Sequence, residues 1–340
     1  MKSVVCFGEL MLSLCPRGYY KFIQVDEVEM FYTGAEANVA ASLAQYGMKA
    51  QYVTRLPHNM LGEAALAFLR KYGIGTDFVA WGGDRIGIIY TERGAAQRPS
   101  AVVYDRAHSS IAEAPEDCFD WDRIFADSDW FHFTGITPAL SDNTAAITEQ
   151  ACREAKKRGI TVSCDLNYRK KLWTTEKAGQ VMRRLLPYVD VLIANEEDSE
   201  KVLGIKAGNT DVTAGELDCG GYIEVAKKIS GEFRIPYIAT TLRKSISASI
   251  NDWSAMLYHD GETYFSKNYT IQIVNRVGGG DSFASGLIYA IRNGMEDRDA
   301  LEFAAAASCL KHSIEMDFNL VTVEQVMTLM NGDGSGRVQR

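Results

Sequence analysis

The feature that most limits the folds open to this chain is a repeated alternation of short β-rich runs and helical patterns. Runs at Val4–Leu10, Ala50–Val53, Trp130–Gly135, Ile160–Cys164, Val189–Ala194 and Tyr237–Leu242 are dominated by β-branched, aromatic and other apolar residues. Between them, Ala37–Tyr46 and Asp142–Lys157 place small and apolar residues at helical spacing, and Gly47 and Gly159 close the two stretches. Strand and helix in alternation read as parallel strands covered on both faces, because each crossover returns a helix over the sheet. The expected fold is α/β, a doubly wound, mostly parallel sheet flanked by helices. At 340 residues the chain exceeds one ordinary core, which suggests one large α/β unit with an appendage.

Two segments break the alternation, residues 12–33 and 84–106. In the second, Gly87–Glu92 and Ala101–Arg106 flank the polar link Gly-Ala-Ala-Gln-Arg-Pro-Ser, a β-hairpin pattern. The two segments are expected to form a small β-sheet lid over the ligand edge of the core, itself made of residues 1–11, 34–83 and 107–330. A further hairpin is expected where Ile246–Tyr258 and Thr263–Lys267 flank His259-Asp260-Gly261-Glu262. The Gly-rich segment 331–340 reads as a flexible tail.

A net charge of −8 argues against a general nucleic-acid or anionic-membrane binder but leaves room for a small anion in a locally basic pocket. No window approaches the roughly 20 apolar residues of a membrane span, and Gly8 and Glu9 interrupt the N-terminal apolar run too early for a signal peptide. The seven scattered cysteines contain no C-x-x-C pair, which fits a reducing compartment and a cytoplasmic protein. His58, His108, His132, His259 and His312 show no metal spacing, and His132, inside a strand, is expected to be a satisfied core residue.

Residues 277–286 read VGGGDSFASG. Helical periodicity starts directly after Asp281, with Phe283, Leu287 and Ile291 on one face, so Gly278, Gly279 and Gly280 sit at a helix N-terminus. Glycines let the backbone bring its N–H groups against a ligand, and the helix dipole favours an anion there. An aspartate would oppose a bound phosphate unless it must touch the group attacking that phosphate. In phosphoryl transfer a base takes the hydroxyl proton while amides neutralise the moving group. A capped turn explains the string equally simply, and no Walker A lysine follows it.

The stretch resembles the C-terminal signature of the ribokinase-like (PfkB) sugar kinases, usually written Gly-Ala-Gly-Asp. The family's N-terminal signature is matched by FYTGAEANVAASLAQYG (Phe31–Gly47), with Thr33 in place of its first glycine. Together with Asp165-Leu166-Asn167-Tyr168-Arg169 and Asn195-Glu196-Glu197-Asp198, the resemblance spans nearly the whole chain and is closest to the 2-keto-3-deoxygluconate kinases.

The resemblance implies a ribokinase-like core with a β lid, ATP and Mg2+ as cofactors, and transfer of a phosphoryl group to a primary hydroxyl of a 2-keto-3-deoxy sugar acid. Asp281 is then the base and Gly278, Gly279 and Gly280 the anion hole. It also assigns Gly34, Ala35, Glu36, Asn38, Tyr90, Tyr104, Arg106, Arg169 and Asp317 to the sugar. Tyr104 and Arg106, two apart on an expected strand, share a face, with Tyr90 expected on the same lid face from the partner strand. Arginine suits a carboxylate because its planar fork donates two parallel hydrogen bonds, which favours an acid sugar. The nucleotide is assigned to Asn167, Arg169, Asn195, Thr241, Arg243, Ser245, Gly278 and Gly280, and the metal to Asp198 and Glu197. Asn195-x-x-Asp198 shortens the usual Asn-x-x-Glu.

Two further departures stand out. Where such kinases usually carry an acid ahead of the glycines, this chain has Asn275-Arg276-Val277, which leaves a monovalent cation (K+) open. The nucleotide loop carries Arg243-Lys244-Ser245 in place of its usual glycines. Alternatives are a fructokinase- or ribokinase-type kinase of a neutral sugar and a non-catalytic sugar-binding regulator. A dehydrogenase lacks its Gly-x-Gly-x-x-Gly after the first strand. Exposed lid edges tend to pair, so a homodimer is expected, with no nucleic-acid or membrane partner.

Overall fold

A nine-stranded sheet is the centre of the computed structural model, which describes residues 2–206, 219–332 and 334. The chain runs β1 (Ser3–Phe7), β2 (Met11–Cys15), β3 (Glu29–Thr33), α1 (Ala35–Gln45), β4 (Ala50–Val53), β5 (Arg55–Leu56), α2 (Met60–Lys71) and β6 (Ala80–Trp81). It continues through β7 (Gly87–Glu92), β8 (Ala101–Asp105), α3 (Trp121–Phe125), β9 (Ser128–Thr134), α4 (Asp142–Lys157), β10 (Thr161–Asp165), α5 (Thr175–Leu185), β11 (Val191–Ala194) and α6 (Glu196–Asp198). Last come α7 (Cys219–Phe233), β12 (Tyr237–Ser245), β13 (Ile250–His259), β14 (Glu262–Phe265), β15 (Tyr269–Gln272), α8 (Gly279–Arg292), α9 (Asp297–Lys311) and α10 (Val323–Met330).

The sheet order is β14-β13-β12-β11-β10-β9-β1-β4, with β15 also on β13. Strands β4, β1, β9, β10, β11 and β12 pair in parallel, and β13 turns the edge antiparallel. The first strand shows why it must be covered on both sides. Val4 and Cys6 belong to a core with Leu43, Phe283 and Leu287, while Val5 and Phe7 point the other way into a core with Phe131, Ile147 and Val181. Burying each side chain of this size contributes about 1.5–3 kcal/mol. Local chemistry sets the helix ends: the Ser141 hydroxyl accepts from Thr144 N at 3.1 Å to start α4, and Gly159 at φ 67° stops it.

The two segments without helical period form a separate four-stranded sheet, β3-β2-β7-β8, in which β2 runs parallel to β7. The observed strands begin or end one to three residues from several expected bounds. The tail residues 333 and 335–340 lie outside the described residues. His132 is buried, but only its Nδ1 is bonded, to Ser163 Oγ at 2.9 Å, and Nε2 has no partner among the described residues. Burial pushes its pKa down to about 3. Among the described residues no helix is long and apolar enough to cross a membrane.

Candidate active site

The glycine turn opens α8. Gly278 is its N-cap at φ 84°, and a Cβ there would lie 2.2 Å from Asp317 O, so both conformation and space require glycine. A Cβ on Gly279 would strike the His312 ring at 2.6 Å, whereas one on Gly280 would meet nothing within 4 Å. The turn is therefore packed underneath and open at Gly280. Asp281 follows in the first helical turn, buried, with its Oδ2 accepting from Asn38 Nδ2 at 2.6 Å. Burial raises its pKa to about 7, with the Asn38 hydrogen bond and Arg169 opposing and Glu36 and Asp317 adding to the rise. Asn38 Oδ1 is buried with no partner among the described residues, an acceptor aimed at no protein donor.

Gly34 caps α1 and lies so close to Glu9 that a Cβ would sit 2.2 Å from its carbonyl oxygen. Ala35, half-buried, opens the helix. Glu36, assigned to the sugar by the resemblance, is buried and bonded inward through one of its two oxygens. Its Oε1 accepts from Thr134 N, Thr134 Oγ1 and Thr137 Oγ1 at 3.0, 2.8 and 2.7 Å beneath Gly8, which fastens α1 to β9. Asp317 is likewise internal: Asn275 Nδ2 donates to its Oδ1 at 3.2 Å and the Thr33 hydroxyl bonds it too, placing it under the turn.

Beyond β10, Asp165 and Asp198 come together. Burial raises the Asp165 pKa well above the usual carboxylate range, with Asp198 and Asp281 adding to it and Arg169 opposing. Asp198 rises to about 6, chiefly by burial. Its Oδ1 accepts from Tyr168 N at 3.1 Å, and Asn195 Oδ1 accepts from Asp198 N at 2.8 Å. Asn167 stands at φ 39°, with its N–H on Asp165 Oδ1 at 3.1 Å. Arg169 is exposed and acts electrostatically on Asp165, Asp198 and Asp281 together. Glu197 is exposed and its charge adds to the rise of Asp198, while Asp165, not assigned to the metal from sequence, is itself raised by Asp198. Mg2+ keeps much of its water and needs one or two carboxylates. The buried pair Asp165 and Asp198 fits that demand, while no group of three or more metal-ligating side chains occurs among the described residues.

The expected nucleotide loop is strand. β12 continues past Leu242, and Arg243, Lys244 and Ser245 pair with Trp253, Asp252 and Asn251 of β13. Pairing with an antiparallel neighbour keeps these residues extended where glycines would have allowed a turn. Arg243 lies near Arg276; desolvation and then that like charge lower its pKa. Both arginines, with Lys311, also depress His312 under Gly279, after burial. Thr241 is half-buried on the same strand. A cluster of cations thus surrounds the packed side of the glycine turn.

In the lid, the register places Ile89 opposite Tyr104 and Tyr90 opposite Val103. Directly opposed residues share a face, so Tyr90 points away from Tyr104, which corrects the expected trio. Tyr90 packs on Phe22 and lies in a row with Leu14, Met30 and Val103. Tyr104 keeps the inner face, with the Arg106 guanidinium 5.3 Å from its ring centroid. Arg106 is buried against Glu9: Nε donates to Glu9 Oε2 at 2.7 Å, Nη2 reaches the same oxygen, and Ser109 Oγ donates to Oε1 at 2.6 Å. Glu9 escaped notice in the sequence, although it follows the first strand at the carboxyl edge where open α/β sheets bind ligands.

The site thus holds a buried carboxylate at a glycine-capped helix start with cations near it. The sequence pattern of the pfkB family carbohydrate kinases matches residues 1–313. The chain is a PfkB family carbohydrate kinase. A 2-dehydro-3-deoxygalactonokinase of Haloferax volcanii is 32% identical over 335 residues, 98% of each chain. The structure of a 2-dehydro-3-deoxygluconokinase from Thermotoga maritima superposes with a TM-score of 0.93 at 50% identity, covering 97% of this chain and 98% of that one. A structure from E. coli in complex with ATP and Mg2+ shares the fold at 15% identity, with a TM-score of 0.79 over 97% of this chain and 99% of that one. The family makes the protein a carbohydrate kinase, and both of the first two relatives are named as kinases of 2-dehydro-3-deoxy sugar acids.

Proposed function

We propose that the protein transfers the γ-phosphoryl group of ATP to a primary hydroxyl of 2-keto-3-deoxygluconate or a close 2-keto-3-deoxy sugar acid. The observation that carries this reading is the Asn38 Nδ2–Asp281 Oδ2 bond of 2.6 Å at the open glycine turn. Asp281 takes the hydroxyl proton as oxygen attacks phosphorus, and Asn38 orients the carboxylate while its free Oδ1 accepts from a sugar hydroxyl. The amides of Gly278, Gly279 and Gly280 and the start of α8 neutralise charge on the phosphoryl group. Mg2+, held by Asp198 and Asp165, would neutralise nucleotide phosphates, with Arg243 and Arg276 close by. Glu9 occupies two of the Arg106 donors, so the substrate carboxylate is read by Arg169 together with the remaining Arg106 Nη1. The names of the relatives support the acid sugar.

The outer lid row, with Met30 at 56% and Val103 at 61% exposure, is the surface on which we place a homodimer. Initial rates with ATP and a panel of 2-keto-3-deoxygluconate, 2-keto-3-deoxygalactonate, fructose and ribose test the substrate class. A strong preference for the acids supports the reading, and equal turnover of the neutral sugars overturns it.

A further inference from the structure

Lys311 at the end of α9 has no exposed surface. Its Nζ donates to Met316 O at 3.0 Å and to Ile314 O at 3.3 Å. Its Cε lies 3.2 Å from the position a Gly278 Cβ would take, so the ammonium stem is packed under the glycine turn. Met316 stands at φ 59°, a conformation that non-glycine residues rarely adopt. This places two carbonyls of one short loop on a single cation. A buried charge without a partner is costly, and a lysine is retained there only with acceptors around it.

The family resemblance left a monovalent cation open at this place, and the residues do not fit one. Asn275 Nδ2 donates to Met316 O at 2.6 Å and to Asp317 Oδ1 at 3.2 Å. The oxygens gathered here, Ile314 O, Met316 O and Asp317 Oδ1, are thus already met by N–H donors, and position 275 offers an amide N–H where a carboxylate would offer a further oxygen. We infer that the Lys311 ammonium is the resident cation of the Gly278–Gly280 turn, holding it in place and making a free monovalent ion unnecessary. The inference rests on the reading of that turn as the phosphoryl anion hole. Lys311 is a positioning residue: it reaches the reacting groups through the turn.

The groups that face Lys311 come from four places. They are Asp281 of α8, Asp317 and Glu315 of the following loop, Arg93 of the lid, and His312, next in the chain. Burial lowers the lysine pKa to about 8, opposed by Asp317 and Asp281. Protonated lysine is required, so kcat/KM should fall as pH rises through that value in the free enzyme.

The test uses the full chain with ATP and 2-keto-3-deoxygluconate, in choline chloride free of alkali cations. Wild type should turn over at the same rate with or without KCl, and activation of about tenfold by KCl overturns the inference without any variant. Lys311→Ala should lose about a hundredfold in kcat with little change in sugar KM. KCl or methylammonium chloride should restore part of the rate, and the restored variant should lack the alkaline limb. If Lys311→Ala does not fold, Lys311→Met keeps the apolar stem and removes only the charge. Either folded variant holding the wild-type kcat in choline overturns the inference. Asp281→Asn, run alongside, separates the two readings. An active Asp281→Asn overturns the anion-hole site itself, whereas an inactive one beside a fully active Lys311→Met overturns only the resident cation.

Discussion

Replacing Asn38 by alanine isolates how the base is set. In the structure Asn38 Nδ2 donates to Asp281 Oδ2 at 2.6 Å, both side chains are buried, and this bond is the largest influence opposing the burial that lifts Asp281. A hydrogen bond to a charged group contributes about 1.5–3 kcal/mol, and one pH unit of pKa corresponds to about 1.4 kcal/mol. Loss of the bond should therefore move Asp281 upward from about 7 by roughly one to two pH units. Because the base acts ionised, kcat/KM rises with pH through this value, so the acid limb should shift to higher pH in Asn38→Ala. The rate at neutral pH should fall about tenfold or more, and sugar KM should rise as Oδ1 is lost. Initial rates by coupled ADP release across the pH range, beside a thermal melt that confirms folding, give the answer. An acid limb that stays at its wild-type position would refute the reasoning.

Asp281→Asn should raise stability at alkaline pH. A carboxyl whose folded pKa is raised from 3.8 to about 7 stabilises the fold fully only below its unfolded value and loses that contribution as pH rises through the folded one. The variant should gain about 2–4 kcal/mol at pH 8 and nothing near pH 4; urea unfolding with no pH-dependent difference speaks against a buried, raised Asp281. Gly278→Ala meets both φ 84° and the Asp317 carbonyl at 2.2 Å, so it should lose about 2–4 kcal/mol, and a loss below about 0.5 kcal/mol in the same assay contradicts the geometry. Glu9→Ala strands the buried Arg106 charge and should cost about 3–5 kcal/mol, with a higher sugar KM; unchanged urea unfolding counts against the pair.

The parallel core was legible because its signals are local. Val4–Phe7 is apolar at every position since both faces are covered, and Asp142–Lys157 carries its own capping serine and terminal glycine. The glycine turn and Asp281 were legible for the same reason, as backbone freedom and a helix start are written in adjacent residues. What local pattern does not carry is register. One residue decides whether Tyr90 or Ile89 faces Tyr104, and only the pairing of β7 with β8 settles it. Nor does it carry long-range partners: Glu36 is drawn inward by two threonines about 100 positions away, and Glu9 meets Arg106 across the lid. Residues 243–245 read as a loop because the resemblance puts the nucleotide loop there, and without that loop's glycines they stay extended and pair with β13.

The account turns on Asp281 as the base that takes the hydroxyl proton during phosphoryl transfer. Single-turnover mixing of enzyme with ATP, Mg2+ and 2-keto-3-deoxygluconate, followed by quantifying the sugar phosphate, tests this most directly. The account predicts rapid formation of one sugar phosphate per site in wild type. Asp281→Asn should bind both substrates with affinities near wild type yet form product slower by about a thousandfold or more. Product formation by Asp281→Asn at the wild-type rate would contradict it.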